Sequence, residues 1–306
     1  MSKTSAWLTL GPVYYLWTTE EWRDFYFRIA DEAPVDKVVL GEVVCSKRMH
    51  FQTPALAAVV ERLTAAGKQV EFASLALVTL EREQRLTRDL AQQDDYTVEV
   101  NDLSVLPLRK GQPITIGPLV NVYNAPTAQF FALNGAKRIC LPPELPLDAI
   151  RALISAAPAM EFEVFAFGRA PLALSARCAH ARVKGNTKDN CQFVCGDDPD
   201  GLPVDTLDGQ KFLALNGIQT MSYTCTSLLA ELPALEAAGV GGFRLSPQRC
   251  DMVQIAQLYR DVLDVRLAPD EALRQLEALY PSVPLSNGFL HGKPGADWVS
   301  EGMGLS

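Results

Sequence analysis

The chain has 306 residues, of which 48% are apolar and 21% charged, a composition typical of a globular protein with one large domain or two average ones. A formal net charge of −8, without any Lys/Arg-rich run, argues against a protein that binds the phosphate backbone of nucleic acid. The sequence contains no stretch of about 18 apolar residues that would span a membrane, and its first residues lack the cleavage site of a signal peptide. We therefore expect a cytoplasmic protein with no nucleic-acid partner and no membrane span.

Short apolar runs alternate along the chain with longer amphipathic segments, and about eight such units are visible. The predicted strands are, in chain order, Trp7–Leu10, Lys37–Leu40, Val70–Ala73, Thr97–Val100, Ile114–Ile116, Arg138–Leu141, Glu163–Ala166 and Gly242–Leu245. Helical patterns lie between most of them, at Thr19–Asp31, Pro54–Ala66, Thr79–Gln92, Ala125–Asn134, Pro146–Ser155, Leu228–Ala238 and Asp251–Leu263. Glu20 and Glu21 suit the N-terminus of the first helix, and Gly67 lies just past the end of the second, where a C-cap belongs.

Strands that alternate with helices predict βαβ units and a mainly parallel sheet. Eight of them favour an α/β fold of the (β/α)8 TIM-type barrel class, regular or irregular, formed by residues 1–306 as a single domain. A doubly wound sheet is the competing fold, because closure of a sheet is not visible in a sequence.

The alternation is interrupted once, between Phe167 and about Gly217, where Gly, Asp, Asn, Pro and Cys dominate. About fifty residues without strong periodicity indicate a functional insertion or a disordered segment. We interpret residues 168–217 as a Cys-containing loop insertion after strand seven, and expect it to bind a metal cluster if its cysteines are ligands. Residues 286–306 are interpreted as an irregular C-terminal tail.

The seven cysteines are an odd number in a chain expected to be cytoplasmic, which indicates thiols or metal ligands rather than disulfides. Cys178, Cys191 and Cys195 lie within eighteen residues of the insertion. Thiolates are soft ligands that suit iron–sulfur clusters and zinc, and both take four protein ligands in structural sites. Cys45 follows the second strand, whose C-terminal end faces the same rim of a barrel as the loop after strand seven. The four are predicted to converge, although spacing alone leaves zinc or ordinary buried thiols open.

The sequence gives less support to the other candidate ligands. Cys225 is the substitute if Cys45 is not a ligand, whereas Cys140 fits a buried strand and Cys250 an ordinary thiol at a helix start. His180 follows Cys178 by two residues and is interpreted as a loop residue or a donor to a ligand, with zinc ligation as the alternative.

Motifs for other chemistry are absent from the sequence, including HExxH, GxSxG and GxGxxG. Glu42 is predicted to be a buried acid near Cys45, with a salt bridge at the rim to Lys47 or Arg48 as the alternative. The acidic run at residues 197–200 is interpreted as a solvated turn. Arg177 and Lys188 flank candidate ligands and are expected to lower the pKa of those thiols. No catalytic residue is predicted.

Five segments carry a resemblance to a known family: LGEVVCSKR, APLALSARC, KDNCQFVC, LNGIQTMS and FRLSPQ. In this order they resemble the collagenase-like peptidase family, of the U series with unassigned mechanism, and most closely its branch in oxygen-independent ubiquinone biosynthesis. The resemblance implies an iron–sulfur subunit of a hydroxylase complex that works without molecular oxygen. It also implies a heterodimer with a UbiU-like paralogue, a [4Fe–4S] cluster in each subunit, and prephenate as the oxygen donor.

Carried over residue by residue, the cluster ligands of that branch fall on Cys45, Cys178, Cys191 and Cys195. The family signature, resembled here by EVFAFG at residues 163–168, continues with a Gly-x-x-Cys pattern whose cysteine is a ligand in the paralogue. This chain has Pro171 at that position, which cannot ligate, so that Cys45 takes its place. The difference favours this branch over the paralogue and over the peptidases.

Because the chain has no membrane span or basic amphipathic anchor, we expect a lipid-carrier protein to deliver the greasy quinone precursor. The alternatives to the hydroxylase are a peptidase or an RNA-modifying enzyme of the wider family, or a zinc-stabilised scaffold.

Overall fold

The computed structural model describes residues 6–300. They form the strands β1 (Trp7–Leu10), β2 (Lys37–Leu40), β3 (Gln69–Ala73), β4 (Thr97–Val100), β5 (Ile114–Ile116), β6 (Ala136–Leu141), β7 (Glu161–Leu174), β8 (Leu202–Asp205), β9 (Lys211–Asn216), β10 (Gln219–Ser227), β11 (Gly242–Leu245) and β12 (Leu285–Ser286). Strands β1 to β7 pair in chain order, each parallel to the next, and β11 pairs with both β7 and β1. The sheet is therefore closed, which confirms the predicted (β/α)8 barrel.

The helices are α1 (Thr19–Glu32), α2 (Met49–Ala65), α3 (Glu81–Ala91), α4 (Ala125–Leu133), α5 (Leu147–Ala156), α6 (Ala179–Val183), α7 (Leu232–Ala238), α8 (Met252–Leu263) and α9 (Pro269–Leu279). Short 3-10 helices occur at Ser46–Arg48, Leu103–Arg109 and Val194–Gly196. Helix α2 begins five residues before Pro54, which lies inside it, so the start predicted at that proline was wrong. Helices α6 and α9 were not predicted. None of the helices within residues 6–300 is long and apolar enough to cross a membrane.

Helix α1 shows how local sequence sets an element. The Thr18 hydroxyl accepts a hydrogen bond from the Glu21 amide (3.2 Å), and the Glu21 carboxylate accepts one from the Thr18 amide (3.1 Å). This reciprocal capping box satisfies two of the amides that a helix leaves unpaired at its N-terminus. The buried face of the helix, which includes Trp22 and Tyr26, then packs on the barrel.

The barrel interior holds an ionic network. Glu71, Glu99, Glu163, Arg138 and Arg244 are each at most 3% exposed. Arg138 pairs with Glu71 (2.6 Å), and Arg244 bridges Glu163 (2.6 Å) and Glu99. Burial opposes ionisation of Glu163, but Arg244 and Arg138 outweigh it and lower its pKa to about 2. Opposite charges thus compensate one another beneath the rim of the barrel.

The segment predicted as a loop insertion partly forms an antiparallel extension of the barrel sheet. Strand β7 continues beyond the barrel and pairs with β10 in antiparallel fashion, followed by β9 and β8 at the edge. The interpretation of residues 168–217 as a loop was therefore wrong for β8 and β9, whereas residues 184–201 between α6 and β8 contain only the short 3-10 helix at 194–196. The cysteine-bearing loop is anchored at both ends by ordered structure.

The described part of the predicted C-terminal tail, residues 286–300, begins with Ser286, the last residue of β12, and contains no helix or strand after it. It is nevertheless held in place, because Asn287 exchanges hydrogen bonds with Val299 (2.7 and 3.0 Å) and donates one to Glu231 (2.6 Å). Residues 301–306 of the predicted tail lie outside the described residues.

Candidate metal centre

The structure brings Cys45, Cys178, Cys191 and Cys195 to the walls of one small cavity at the rim of the barrel. Cys178 is buried and the other three are half-buried. Within residues 6–300 none of the cysteines forms a disulfide. The convergence that barrel geometry suggested is present, and the role of the four as ligands stays a prediction.

Two of the four cysteines are positioned by backbone hydrogen bonds. Cys45 follows β2, and its amide donates to the buried Glu42 carboxylate (2.9 Å). Cys178 is the N-cap of α6, and its sulfur accepts a hydrogen bond from the Ala181 amide (3.4 Å). Each thiol is therefore held next to an ordered element, β2 for Cys45 and α6 for Cys178, and the two elements are far apart in sequence.

The other two cysteines flank a strained turn. Between Cys191 and Cys195, Gln192 and Phe193 have left-handed backbone conformations, with φ of 50° and 53°. Residues with a Cβ adopt this region only when the surrounding structure enforces it. Both cysteines, on either side of this turn, line the cavity.

Contacts between the two halves of the site tie the cysteine loops together. The Lys47 ammonium donates to the carbonyl oxygens of Lys188 (2.6 Å) and Asp189 (3.0 Å). The Phe193 ring packs edge-on against His50 and Phe51, with ring centroids 5.1 and 5.2 Å apart. The segment after β2 thereby holds the loop that carries Cys191 and Cys195.

Arg48 is the only cation at the cavity that is almost completely buried, at 1% exposure, among the described residues. Its guanidinium donates to the Tyr14 carbonyl (2.7 Å) and the Asn216 side chain (2.9 Å), while its Nε has no hydrogen-bond partner. Burial acts to lower the pKa of Arg48, but the facing thiol of Cys195, together with neighbouring acidic groups, raises it. No carboxylate within residues 6–300 forms an ion pair with it. A buried, unpaired guanidinium fits an anionic group in the cavity.

Glycine is required opposite this arginine. Gly217 lies on the cavity wall with φ of +64°, a left-handed conformation that favours glycine. A Cβ at this position would lie 2.5 Å from Nη2 of Arg48. The side chain of Arg48 is thus seated in a space that only glycine leaves open.

Glu42 is buried, at 3% exposure, as predicted. Its carboxylate accepts hydrogen bonds from the amides of Val44 (2.8 Å) and Cys45 and from the Gln52 side chain (3.1 Å). Burial raises its pKa, against the lowering effect of Arg48. The alternative of a salt bridge at the rim is wrong, because Glu42 bonds to the backbone of the Cys45 loop instead.

The flanking cations do not act on the thiols as expected. Burial raises the pKa of Cys45 and of Cys178, and the cation that opposes this at both thiols is Arg48. Lys188 instead donates to the carbonyl oxygen of Ala176 (3.0 Å). For Cys178 proximity in sequence was a poor guide, since the cation that acts on its thiol comes from another segment of the chain.

Four cysteine thiols around one cavity are donors of the kind that both iron–sulfur clusters and zinc take. Within residues 6–300 no three His, Cys, Asp or Glu side chains are grouped closely enough to hold one metal ion. Structural zinc requires four ligands at about 2.3 Å from one centre. An iron–sulfur cluster instead takes its four thiolates at separate corners of a larger core. Four thiols around one cavity, with a buried guanidinium beside them, provide the number of thiolates that such a cluster takes.

The remaining predicted candidates lie elsewhere. Cys225 is fully buried in β10, opposite Arg169 of β7, and Cys140 is buried in β6; neither lines the cavity, nor does Cys250. His180 is completely buried, with Nε2 bonded to Asp198 (3.0 Å) and Nδ1 near the Gly217 amide (3.5 Å). Its ring nitrogens are thus engaged within the protein, which agrees with a supporting role rather than ligation.

The acidic run after Cys195 is not a solvated turn. Asp198 bonds to His180 and Lys184, each at 3.0 Å. Asp200 contacts Arg169 (3.4 Å) and accepts a hydrogen bond from Tyr280. These contacts fasten the end of the cysteine loop to the barrel.

A basic cleft beside the site was missed by sequence reasoning. This cavity, of about 800 Å³, shares Cys178 with the cysteine site. Its wall contains five cations and one carboxylate, Asp189. None of the five forms a salt bridge within the described part of the chain. We call this cavity the basic cleft. Its cations are Lys47, Arg82, Arg177, Arg182 and Lys188. They come from three segments, so that no charge run marks them in the sequence.

Comparison with known proteins gives a family and distant structural similarity. N-acetylneuraminate lyase from Fusobacterium nucleatum, complexed with pyruvate, is 11% identical over 99% of this chain and 92% of the lyase, with a TM-score of 0.46. The lyase from Mycoplasma synoviae is 13% identical over 96% of this chain and 91% of its own, with a TM-score of 0.44. Such low values give no information on activity. The sequence model of peptidase family U32, by contrast, matches residues 22–300, which is most of the chain. This protein belongs to peptidase family U32.

Proposed function

We propose that the protein is the iron–sulfur subunit of an oxygen-independent hydroxylase complex in anaerobic ubiquinone biosynthesis. In this proposal it is a UbiV-like subunit that pairs with a UbiU-like paralogue, and prephenate supplies the oxygen. A [4Fe–4S] cluster held by Cys45, Cys178, Cys191 and Cys195 is the resident cofactor.

The observation that carries the proposal is the cavity formed by the four thiols and Arg48. A cluster with four thiolate ligands bears net negative charge, which suits a buried guanidinium without a carboxylate partner. Membership of the family alone would also admit a peptidase. Pro171, at the position of a family ligand, favours the UbiV-like branch, because Cys45 supplies the fourth thiol at the same cavity.

When bound, the cluster would supply one-electron transfer at a potential set by burial, charge and hydrogen bonds to its sulfurs. Residues of this chain would determine the burial, the local charge and the hydrogen bonds around the cluster. Arg48 places positive charge at the cavity, the Ala181 amide donates to the Cys178 sulfur, and Phe193 adds an apolar ring to the cavity wall. Four cysteine ligands leave no corner for substrate, so we infer that substrate binds beside the cluster.

The basic cleft supports an anionic oxygen donor. Prephenate is an anion, and the cleft offers cations without carboxylate partners next to Cys178. In the balanced reaction the ring exchanges C–H for C–OH, a two-electron oxidation. The donor loses its hydroxyl, takes up hydrogen in its place and is reduced by the same two electrons.

The first experiment is metal and sulfide analysis of the chain purified without oxygen. We expect iron with matching sulfide and a brown chromophore, lost on Cys→Ser substitution at each of the four positions. Cys250→Ala is the matched control, because this half-buried thiol does not line the cavity. Colourless protein with zinc would support the scaffold alternative and contradict the proposal.

The second experiment tests the activity and the partner. The chain and a UbiU-like paralogue are produced together, and we expect them to purify as a heterodimer that hydroxylates a quinone precursor without oxygen when prephenate is present. Peptide hydrolysis by the purified chain alone would favour the peptidase reading instead.

A further inference from the structure

A second cavity lies between α2 and α3, at the C-terminal ends of β2 and β3. It encloses about 370 Å³, within the range for pockets that hold small ligands. Its walls are mostly apolar side chains, including Leu56, Phe72, Leu75, Leu86 and Leu90. We call it the apolar pocket.

The apolar pocket leads to the cysteine site. Met49 and Leu86 line both the pocket and a neighbouring groove, and that groove is also lined by Cys191 and Phe193. Cys191 and Phe193 in turn line the cysteine cavity. A molecule seated in the apolar pocket therefore reaches the wall of the candidate metal centre along one continuous surface.

Polar groups enter the pocket at the end nearest the cysteines. Glu42 and Gln52 lie at this end, and the Glu42 carboxylate also accepts the Cys45 amide. Its oxygens are hydrogen-bond acceptors, suited to a ligand that donates a hydroxyl. No Lys or Arg lines the pocket, whose charged side chains are Glu42 and Asp89. The wall therefore disfavours an anionic head group and suits a neutral one.

We propose that the apolar pocket binds the aromatic precursor of the quinone, with its ring and adjoining isoprenoid chain among the leucines and a ring hydroxyl donating to Glu42. This inference rests on the proposed function and assigns the substrate a place within it. Phe72 and Tyr96, in edge contact with centroids 5.1 Å apart, offer an aromatic surface to such a ring. The ring then lies beside the cluster ligands, and the basic cleft remains free for the oxygen donor.

The test measures binding of a short-chain prenylphenol to the holoprotein under anaerobic conditions, by calorimetry. Leu90→Trp fills the pocket, and we expect it to weaken binding about tenfold or more. Leu133→Trp is the control, because Leu133 is 89% exposed on α4, and it retains wild-type affinity. Should Leu90→Trp fail to fold, Leu56→Phe at the same pocket provides the comparison.

Two further arms test the chemistry of the ligand. Decanoate, an apolar anion, is expected to bind more weakly than the prenylphenol, because the pocket presents only acidic charges. In Glu42→Gln the preference for the phenol over its methyl ether falls at least several-fold, since the hydroxyl loses a carboxyl oxygen as its acceptor.

Absence of saturable binding, binding unchanged by both filling variants, or decanoate bound as tightly as the phenol would overturn the assignment. Iron and sulfide are measured on the same samples. Loss of both in the wild type would show that the proposed function fails, whereas an intact cluster without phenol binding would reject only the apolar pocket.

Discussion

Arg48 combines a guanidinium held by two hydrogen bonds with an Nε that lacks a partner, and it faces Cys195 and Cys45. A fixed positive charge beside a redox group stabilises the reduced form, which carries one more negative charge. Its influence is large because burial keeps the local dielectric constant low. The residue is therefore expected to tune the centre as well as to neutralise it.

Replacement of Arg48 by Met is expected to lower the reduction potential of the bound cluster by on the order of 100 mV, since a unit charge several ångströms away is removed. Spectroelectrochemical titration of the reconstituted protein measures the shift. Arg177→Met is the control, because Arg177 is exposed. Equal potentials in both variants would contradict a role for Arg48 at the cluster.

Gly217→Ala tests the seat of Arg48. The left-handed backbone alone costs about 1–2 kcal/mol for a residue with a Cβ, and the 2.5 Å approach to Nη2 adds a clash. Gly67→Ala is a matched control, with φ of +77° and no atom within 4 Å of the position that a Cβ would occupy. We expect urea denaturation to show a larger loss of stability at Gly217 than at Gly67. An equal loss of stability in the two variants would mean that the Arg48 side chain moves away from the new Cβ at no cost in free energy.

At the scale of single residues, the sequence was sufficient to predict which thiols converge, but not which residues surround them. Cys178, Cys191 and Cys195 are close in sequence, and Cys45 follows a predicted strand, so a barrel alone brings them to one rim. Arg48 and Gly217 carry no local signal, because their importance arises from a contact between residues far apart in the chain. The basic cleft could not be predicted either, because its cations come from three separate segments of the chain.

At the scale of elements, the cysteine loop is held by the segment after β2. Lys47 bonds to two carbonyl oxygens of the loop, and Phe193 packs on α2 side chains. Because the loop between α6 and β8 has little secondary structure of its own, these contacts restrain its opening.

Lys47→Met removes both bonds and is expected to accelerate cluster loss to an iron chelator several-fold, because the loop opens more often. The rate of bleaching of the brown chromophore measures this. Arg182→Met serves as a control on the same basic cleft, since it removes an exposed cation that ties no loop across the site. Unchanged bleaching in Lys47→Met would show that the loop is fixed by other contacts.

The pattern of elements was readable where burial is strong. All eight barrel strands were predicted because apolar runs such as KVVL in β2 are covered on both faces. Strand β8 alternates half-buried and exposed residues over only four positions, which is too short to distinguish from a loop. Pro54 suggested a helix start, but α2 extends one turn earlier, where its N-terminus is positioned by the preceding 3-10 helix.

At the scale of the whole molecule, the ionic network inside the barrel links strands on different sides. Glu163 accepts from Thr9 (2.6 Å) and pairs with Arg244 and Arg138. Removing one partner of such a network leaves buried charge uncompensated, which costs about 3–5 kcal/mol. The network therefore favours the closed barrel over open sheets of the same strands.

The stability of the barrel is expected to depend on pH through Glu163. Its folded pKa, about 2, lies below the unfolded value of 4.5, so this carboxylate contributes stability above pH 4.5 that is lost as the pH falls towards 2. In Glu163→Gln the free energy of unfolding should lose this dependence on pH and should be lower than in the wild type at neutral pH. Urea denaturation at several pH values measures both effects. Glu161→Gln, at the exposed start of the same strand, is expected to keep the wild-type profile.

The four thiols also have a consequence for the order in which the protein matures. Cys45 leaves the ribosome long before Cys178, and their cavity is walled by Gly217 and Ile218, later still in the chain. Until β7 has joined the barrel, the two parts of the site are separate ends of a long flexible segment, and bringing them together is entropically costly. We therefore expect iron and sulfide to enter a barrel that has already closed, so that maturation begins with a folded, metal-free protein.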